Sequence, residues 1–455
     1  MMTHTSLQQA FVVEHLEPSS LRPDPRNART HSHRQINRLA AAISEFGFTN
    51  PILVDEQLVI LAGHARLEAA IVLGLATAPC IRLEHLTKAQ KTALAIADNK
   101  LGDMSEFDPE LLAGQLSELC AIDFPVELTG FDTAEVDILL EKPTIVHGDS
   151  AETLALPDRG VPAVTRQGDL WILDNHRLLC GSALEQSSYE RLLNDELAEM
   201  IFADPPYNVP IQGHVSGLGR TAHAEFAMAA GEMSPEAFTA FLSTYMVHLR
   251  RFSADGSIHF HCMDWRHLQE ILAAGASAYT ELKSLCVWNK NNGGMGSLYR
   301  SKHELVLVYK SGTAPHINNV NLGRQGRYRT NVWDYAGVNT FGRTRDADLA
   351  AHPTVKPVAL VADTIRDCSK RGGLILDPFA GSGTTILAAE RTGRRAAAIE
   401  LDRHYVDTAV RRWQQITGGP ATLSETGQSF DEVAVERADR TGSDDTEAST
   451  SEVTQ

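Results

Sequence analysis

Short, unbroken apolar runs alternate with helical patterns over the second half of the chain, which is the signature of buried strands joined by helices. Gly373-Leu374-Ile375-Leu376 predicts a strand and Thr384 to Arg391 a helix; Ala396-Ala397-Ala398-Ile399 predicts a second strand, ending at Glu400. Met200-Ile201-Phe202-Ala203 is a further buried strand that runs into Asp204-Pro205-Pro206-Tyr207, and Leu305-Val306-Leu307-Val308-Tyr309 is another apolar run. Ser257 to Cys262 also reads as a strand, with His259 and His261 on one face and Cys262 on the other. The first hundred residues pattern as a separate unit. A helix over Gln35 to Glu45 stops at Gly47, Pro51-Ile52-Leu53-Val54-Asp55 and Leu58-Val59-Ile60 form a hairpin, and Ala62-Gly63-His64-Ala65-Arg66 opens a helix that runs to Leu73. From Glu106 to Leu140 leucines recur at helical spacing, with Pro125 splitting the stretch into two helices and Pro157 to Pro162 marking a boundary. The pattern predicts an α/β protein, with a larger strand-and-helix unit preceded by a smaller α+β domain.

The connections carry the chemistry. Asp377-Pro378-Phe379-Ala380-Gly381-Ser382-Gly383-Thr384-Thr385 lies at a strand-to-helix turn, where glycines let backbone approach a ligand closely. Glu400, at the end of the next strand, stands where a nucleotide-binding unit places the acid that accepts from ribose hydroxyls. Asp204-Pro205-Pro206-Tyr207 belongs just beyond the carboxyl end of a buried strand. Two prolines remove two donors and leave carbonyl oxygens free to accept. The amine of adenine or cytosine is a poor nucleophile, and acceptors on its two hydrogens draw the nitrogen towards a tetrahedral state. Asp204 and the Pro205 carbonyl are such acceptors. Tyr207 offers an aromatic face to a base that has left the duplex. The two halves together point to methyl transfer onto a nucleobase.

Residues 166–417 thus resemble an amino-group DNA methyltransferase that uses S-adenosylmethionine. The base-binding tetrapeptide precedes the cofactor turn, which is similar to the circularly permuted beta subclass and implies the α/β S-adenosylmethionine-dependent methyltransferase fold, a Rossmann-like mixed sheet. Gly168-Asp169-Leu170-Trp171, Asn175 to Gly181, Gly231-Glu232-Met233-Ser234, Met263-Asp264-Trp265-Arg266-His267 and His352-Pro353-Thr354-Val355-Lys356-Pro357 also match. The resemblance implies that Lys356 and Pro357 flank the methionine part of the cofactor. It implies that Asp377, Phe379, Gly381, Ser382, Gly383 and Thr384 cradle the cofactor while Glu400 holds its ribose. Asp204, Pro205, Pro206 and Tyr207 are the catalytic set, and Asp at 204 favours the N6 amine of adenine over the N4 amine of cytosine, which is the alternative target.

Gly63, His64 and Arg66 lie in a pattern that resembles the ParB and sulfiredoxin-like N-terminal domain, whose Gly-x-x-Arg turn binds a nucleotide phosphate at a helix start. His64 and Ala65 replace the acidic and basic residues usual there, which puts nucleotide hydrolysis in doubt. Docking through a retained fold is an equal alternative. A third reading of the whole chain is a ParB-type DNA-binding or nucleotide-switch protein whose methylase half is inactive.

The net charge of −17 argues against nucleic acid only as a total. The tail after Pro420 is rich in Ser, Thr, Asp and Glu and reads as disordered. Arg324, Arg327, Arg329 and Arg343 lie in a stretch with Tyr328, Trp333 and Tyr335 whose sole acid before Asp346 is Asp334, and are expected to touch DNA. The Gly-, Ala- and His-rich stretch from Asn208 to Met233 is a loop that either closes over DNA or is plain surface. Six scattered cysteines disfavour a disulfide framework or a zinc ribbon, and the His259, His261, Cys262 and His267 group is not expected to bind metal. Cys80, far from the cofactor motifs, is read as structural. No apolar run can span a bilayer, so a cytoplasmic protein is expected. The expected organisation is a ParB-like domain at 8–102, a helical connector at 103–165, the methyltransferase domain at 166–417 and a disordered acidic tail at 418–455. Double-stranded DNA is the expected partner, with a nucleotide at the first domain and a homodimer left open, and the family places such enzymes in restriction-modification.

Overall fold

A computed structural model describes residues 11–439 apart from 103, 123, 141–158, 210–230, 292, 294–297, 324–326 and 337–355. The chain divides into two compact units, Met1–Lys142 and Pro143–Gln455.

In the first unit, β1 (Val13–Leu16), α1 (His33–Phe46), β2 (Ile52–Val54), β3 (Ile60–Ala62), α2 (His64–Val72), β4 (Ala78–Arg82) and α3 (Lys88–Gly102) follow in order. The sheet order is β1-β4-β2-β3, with β2 and β3 forming the expected antiparallel hairpin. Ser32 caps α1 by accepting from the Gln35 amide, and Gly47 ends the helix at φ 80°. Ile52, Val54, Ile60, Leu67 and Cys80 make the core. The connector is ordered over α4 (Pro109–Ala121), capped by Asp108, and α5 (Thr133–Leu140), with Leu116, Val126 and Val136 as its own core. It belongs to this unit: Arg38 donates to the Gly130 carbonyl at 2.8 Å, and Phe46 stacks on Phe124.

The second unit is one ten-stranded mixed sheet. Its strands are β5 (Leu170–Leu173), β6 (His176–Cys180), β7 (Ala198–Ala203), β8 (Ser253–Met263), β9 (Glu281–Asn289), β10 (His303–Lys310), β11 (Val332–Asp334), β12 (Leu374–Asp377), β13 (Arg395–Glu400) and β14 (Thr422–Leu423). The helices are α6 (Gln186–Leu193), α7 (Pro235–Arg251), α8 (Leu268–Ala278), α9 (Val358–Cys368), α10 (Thr384–Thr392) and α11 (Arg403–Thr417). The order β11-β9-β10-β8-β7-β12-β13-β6-β5-β14 has β8, β7, β12, β13 and β6 running parallel at its centre. Strands late in the chain, β12 and β13, fill the places between β7 and β6, so the chain order is permuted relative to the sheet order. Apolar clusters cover both sheet faces, which is why the central strands read as unbroken apolar runs.

The Ala-rich β13 keeps Ala396, Ala397 and Ala398 at 1% exposure or less, which lets helices sit close. At Gly383 (φ 83°) an added Cβ would lie 2.8 Å from the Ala409 Cβ of α11, so glycine is required there for both conformation and packing.

Two expectations are corrected. The tail is not disordered from 418: β14 pairs with β5, and a helix over 430–439 buries Phe430 and Val433, with Phe430 packed 5.0 Å from Trp171. Its few apolar residues suffice because they land on a ready-made apolar surface, and Arg437 adds an ion pair to Asp169. Residues 440–455 lie outside the described residues. The connector's end also moves: the Val164 and Thr165 amides donate to Asp407 of α11, which places them in the second unit's core.

Candidate active site

The parallel strands deliver their acids to one edge of the sheet. Asp204 follows β7, Asp377 ends the neighbouring β12, and Glu400 ends β13. Between β7 and β12 the connections diverge, through α7 to β8 on one side and through α10 to β13 on the other, which is the crevice where open α/β sheets bind ligands. β9 and β11 are parallel to the same set, so Lys290 and Tyr335 emerge at this edge, where the antiparallel β10 begins with His303 and Glu304.

The Asp204 side chain keeps 24% exposure at the mouth, whereas Lys356 and Glu304 keep 3% and 8%. Lys356 Nζ donates to both Asp204 oxygens, at 2.8 and 2.7 Å, and lies 3.0 Å from Glu304 Oε2. Lys290 pairs with the other Glu304 oxygen. The Tyr207 hydroxyl reaches Asp204 Oδ1 at 2.7 Å and Glu304 Oε2 at 3.0 Å, and accepts from Lys356 at 3.0 Å. Burial pushes the Asp204 carboxyl above its ordinary value, and Lys356 offsets this only in part. For Glu304 burial acts in the same direction, but Lys356 and Lys290 outweigh it and hold the group at about 2. Burial disfavours the Lys356 charge, yet the two carboxylates hold it firmly protonated. The buried Glu304 carboxylate, the partly exposed Asp204 carboxylate and two ammoniums form a charge-balanced cluster. Pro205 is buried and Pro206 half-buried, and Asn208, in the left-handed region at φ 52°, fixes the loop by accepting from the Gly231 and Met233 amides.

Around the glycine turn, Asp377 accepts from the Phe379 amide at 2.9 Å and from the Thr385 hydroxyl at 2.6 Å. Glu400 accepts from the Gly381 amide and the Asp402 amide, both at 2.8 Å. Burial lifts both carboxyls to about 7. The half-buried Phe379 ring meets Tyr245 edge-on at 5.0 Å. Gly381 (φ 51°) would aim a Cβ into space with nothing within 4 Å. Open room beside a turn flanked by Phe379 and Glu400 fits an adenosine-bearing cofactor.

Other expected residues are placed differently. Ser382 and Thr384 turn inward and accept from Arg412 of α11, so they hold the turn to the helix instead of facing the crevice. Lys356 donates to both Asp204 oxygens, and Pro357 is the N-cap of α9. Arg327 and Arg329 do not present themselves to DNA. Arg327, 8% exposed, donates to Asp367 at 3.0 and 3.2 Å and to Asp363 at 3.3 Å. Arg329 donates to Asp367 and Asp363, at 3.1 and 3.3 Å, and to the Tyr335 hydroxyl at 2.7 Å. Their counter-ions lie on α9, four residues apart on one helix face and distant in sequence from the arginines they neutralise. Tyr328 beside them is 86% exposed. Arg324, Arg343, residues 210–230 of the Gly-rich loop and His352 to Val355 lie outside the described residues.

His259 and His261 do share a face, as the strand pattern requires. They bond the Tyr279 hydroxyl, at 3.0 Å each, in a buried network with Tyr245 and Ser257. Among the described residues no group of three or more His, Cys, Asp or Glu is poised for a metal, and no helix is long and apolar enough to cross a membrane. In the first unit, Gly63 caps α2 in the left-handed region at φ 100°. His64 Nε2 accepts from the Asp24 amide at 3.2 Å, and Arg66 donates to the Pro51 carbonyl at 3.1 Å. The three lie together at the helix start, with the two polar side chains already partnered. Sequence reasoning missed Glu304, Lys290, Asp363, Asp367 and Arg412; the Asp363/Asp367 spacing was the one signal available.

Comparison with known proteins gives three family matches: residues 2–100 with the ParB N-terminal domain, 110–167 with the ParB-methyltransferase HTH domain, and 198–411 with the DNA methylase family. The Type II methyltransferase M.ScaI of Streptomyces caespitosus is 40% identical over 87 residues, 19% of this chain and 29% of that protein. The Type II methyltransferase M.HinfI of Haemophilus influenzae is 26% identical over 262 residues, 53% of this chain and 69% of that protein. Among solved structures, PvuII DNA methyltransferase, described as cytosine-N4-specific, is 16% identical with a TM-score of 0.40, covering 57% of this chain and 90% of that one.

Proposed function

Residues 198–411 being a DNA methylase domain of the amino-group family, preceded by a ParB N-terminal domain, we propose that the protein transfers a methyl group from S-adenosylmethionine to the exocyclic N6 amine of adenine in DNA. The observation that carries the reading is the adjacency of β7 and β12, which sets the Asp204 loop beside the glycine turn. When bound, the cofactor supplies an electrophilic methyl group on a sulfonium.

Phe379, Gly381 and Glu400 hold the cofactor: Gly381 leaves room for it, Phe379 lends an aromatic face, and Glu400 keeps lone pairs for ribose hydroxyls beyond those its two amide partners use. A base must leave the stack to reach this crevice. Asp204 and the Pro205 carbonyl then accept the two amine hydrogens, which localises the lone pair on nitrogen, and Tyr207 supports the ring. The amine, once methylated, must lose a proton, and Asp204, open at the mouth, is the base placed to receive it. Burial raises the Asp204 carboxyl, which suits a proton acceptor better than an ordinary carboxylate would. Asp at position 204 supports adenine as the target.

The first unit is proposed to alter DNA affinity or site choice instead of chemistry, since every residue of the proposed site lies in the second unit. The test is to incubate full-length protein with unmodified DNA and S-adenosylmethionine, digest to nucleosides and identify the product by mass. N6-methyladenine supports the reading, N4-methylcytosine moves the target to the other amine, and no methylated base from any DNA refutes the activity.

A further inference from the structure

Lys356 is buried and charged, and it occupies both oxygens of the carboxylate that the incoming amine must use. A buried ammonium cannot be left without a counter-ion, so if Asp204 were its sole partner, releasing Asp204 would be strongly opposed. Glu304 changes that balance. Its Oε2 already lies 3.0 Å from Lys356 Nζ, it is more buried than Asp204, and Lys290 keeps its other oxygen in place. The Tyr207 hydroxyl, within 3.0 Å of Glu304 and 2.7 Å of Asp204, spans the two carboxylates and can shift its donation between them. We propose that Glu304 is a positioning residue for methyl transfer: it is the second seat of the Lys356 ammonium, and so allows Asp204 to turn its oxygens to the base amine. Glu304 touches neither base nor cofactor in this scheme and acts through Lys356.

The inference rests on the methyltransferase reading, and the test separates the two. Wild-type protein is assayed first under single-turnover conditions; if it methylates no DNA, the functional reading itself falls, and this inference with it. With active wild type, Glu304→Gln should lower the transfer rate roughly tenfold or more, while calorimetric affinity for S-adenosylmethionine stays within about twofold. Glu304→Asp, which keeps the charge, should restore most of the rate. In a Lys356→Gln background the same Glu304→Gln change should alter the rate by less than about twofold, because the ammonium it serves is gone.

The acid limb of the pH profile gives a readout that a merely structural role would not move. The charged and titratable groups facing Glu304 are Lys290, Lys356, Asp204, Tyr207 and Cys262; its negative charge raises Asp204, Tyr207 and Cys262 alike, and of these three Asp204 is the carboxyl, the group that titrates on the acid side. In Glu304→Gln the limb should therefore move to lower pH. Equal rate losses in both Lys356 backgrounds, a wild-type rate in Glu304→Gln, or loss of cofactor binding in both Glu304 variants would overturn the proposal.

Discussion

Replacing Arg327 with alanine separates a buried tie from a DNA contact. The guanidinium makes two bonds to the Asp367 carboxylate, at 3.0 and 3.2 Å, one to the Asp363 carboxylate at 3.3 Å and one to the Asp363 carbonyl at 3.4 Å, and the side chain is 7% exposed. Removing one partner of a buried pair typically costs about 3–5 kcal/mol, because the other charge is stranded. Here Asp367 is not fully stranded, since Arg329 remains 3.1 Å from its second oxygen. We therefore expect a smaller loss, about 2–3 kcal/mol, at or just below the lower edge of that range. For a unit of this size that corresponds to a fall in the unfolding midpoint of roughly 4–12 °C. The companion measurement is DNA affinity against salt concentration. A lost phosphate contact would lower the slope of log K against log salt by about one, whereas a buried tie leaves the slope alone. Unchanged thermal stability together with a reduced slope would show that Arg327 faces DNA, and the structural assignment would be wrong.

Asp204→Ala should slow methyl transfer by about a hundredfold or more, matching ~3 kcal/mol of transition-state stabilisation, with cofactor affinity retained; near-normal transfer would remove Asp204 from the mechanism. Gly381→Val and Gly383→Ala should both lower stability, since each glycine has a positive φ, but Gly381→Val should also weaken S-adenosylmethionine binding because its side chain would enter open space on the ligand side, whereas the Cβ of Gly383→Ala meets Ala409; equal losses of cofactor affinity in the two would contradict the geometry. Burial holds His259 neutral and pushes His261 down to about 3, so the native state binds fewer protons than the unfolded one, and stability should be lost as pH falls below about 6.5. Denaturant unfolding at pH 7 and pH 5 checks this. Asp377 has the opposite sign: lifted to about 7, it holds a proton longer when folded, so its contribution is lost as pH rises through that value. Asp377→Asn should therefore gain stability relative to wild type between pH 5 and pH 8, and a constant difference would show that Asp377 does not titrate there.

What was legible in the sequence was whatever a local pattern determines. The strand, glycine turn, helix and acid from Leu374 to Glu400 are contiguous, and each element is set by its own residues, so order and spacing sufficed. The same holds for the hairpin of the first unit and for the shared face of His259 and His261. Residues whose role depends on a distant partner could not be read that way. Glu304 opens an apolar strand, and nothing near it shows that Lys290 and Lys356 converge on it from two other elements. Arg327 and Arg329 looked like free cations because Asp363 and Asp367 come from α9. The tail looked disordered because it has little apolar surface of its own; Phe430 needs only one exposed slot beside Trp171.

Lys356, Arg327 and Arg329 are tied to one helix, and this bears on how the site works. Lys356 stands just before Pro357, the N-cap of α9, and the acids that neutralise Arg327 and Arg329 lie on the same helix. One helix therefore joins the segment around Arg329 to the ammonium that occupies Asp204. Arg329 also reaches the Tyr335 hydroxyl, and the Trp288 indole, beneath Lys290 and Lys356, donates to the Tyr335 carbonyl at 3.0 Å. Displacing the 327–335 segment would disturb both routes to Lys356 at once. Arg329→Ala is thus expected to slow methyl transfer without changing cofactor affinity, and to do so as strongly on a short duplex as on a long one. Phosphate contacts would instead make the loss depend on duplex length and salt, and that dependence would be decisive against a role inside the protein.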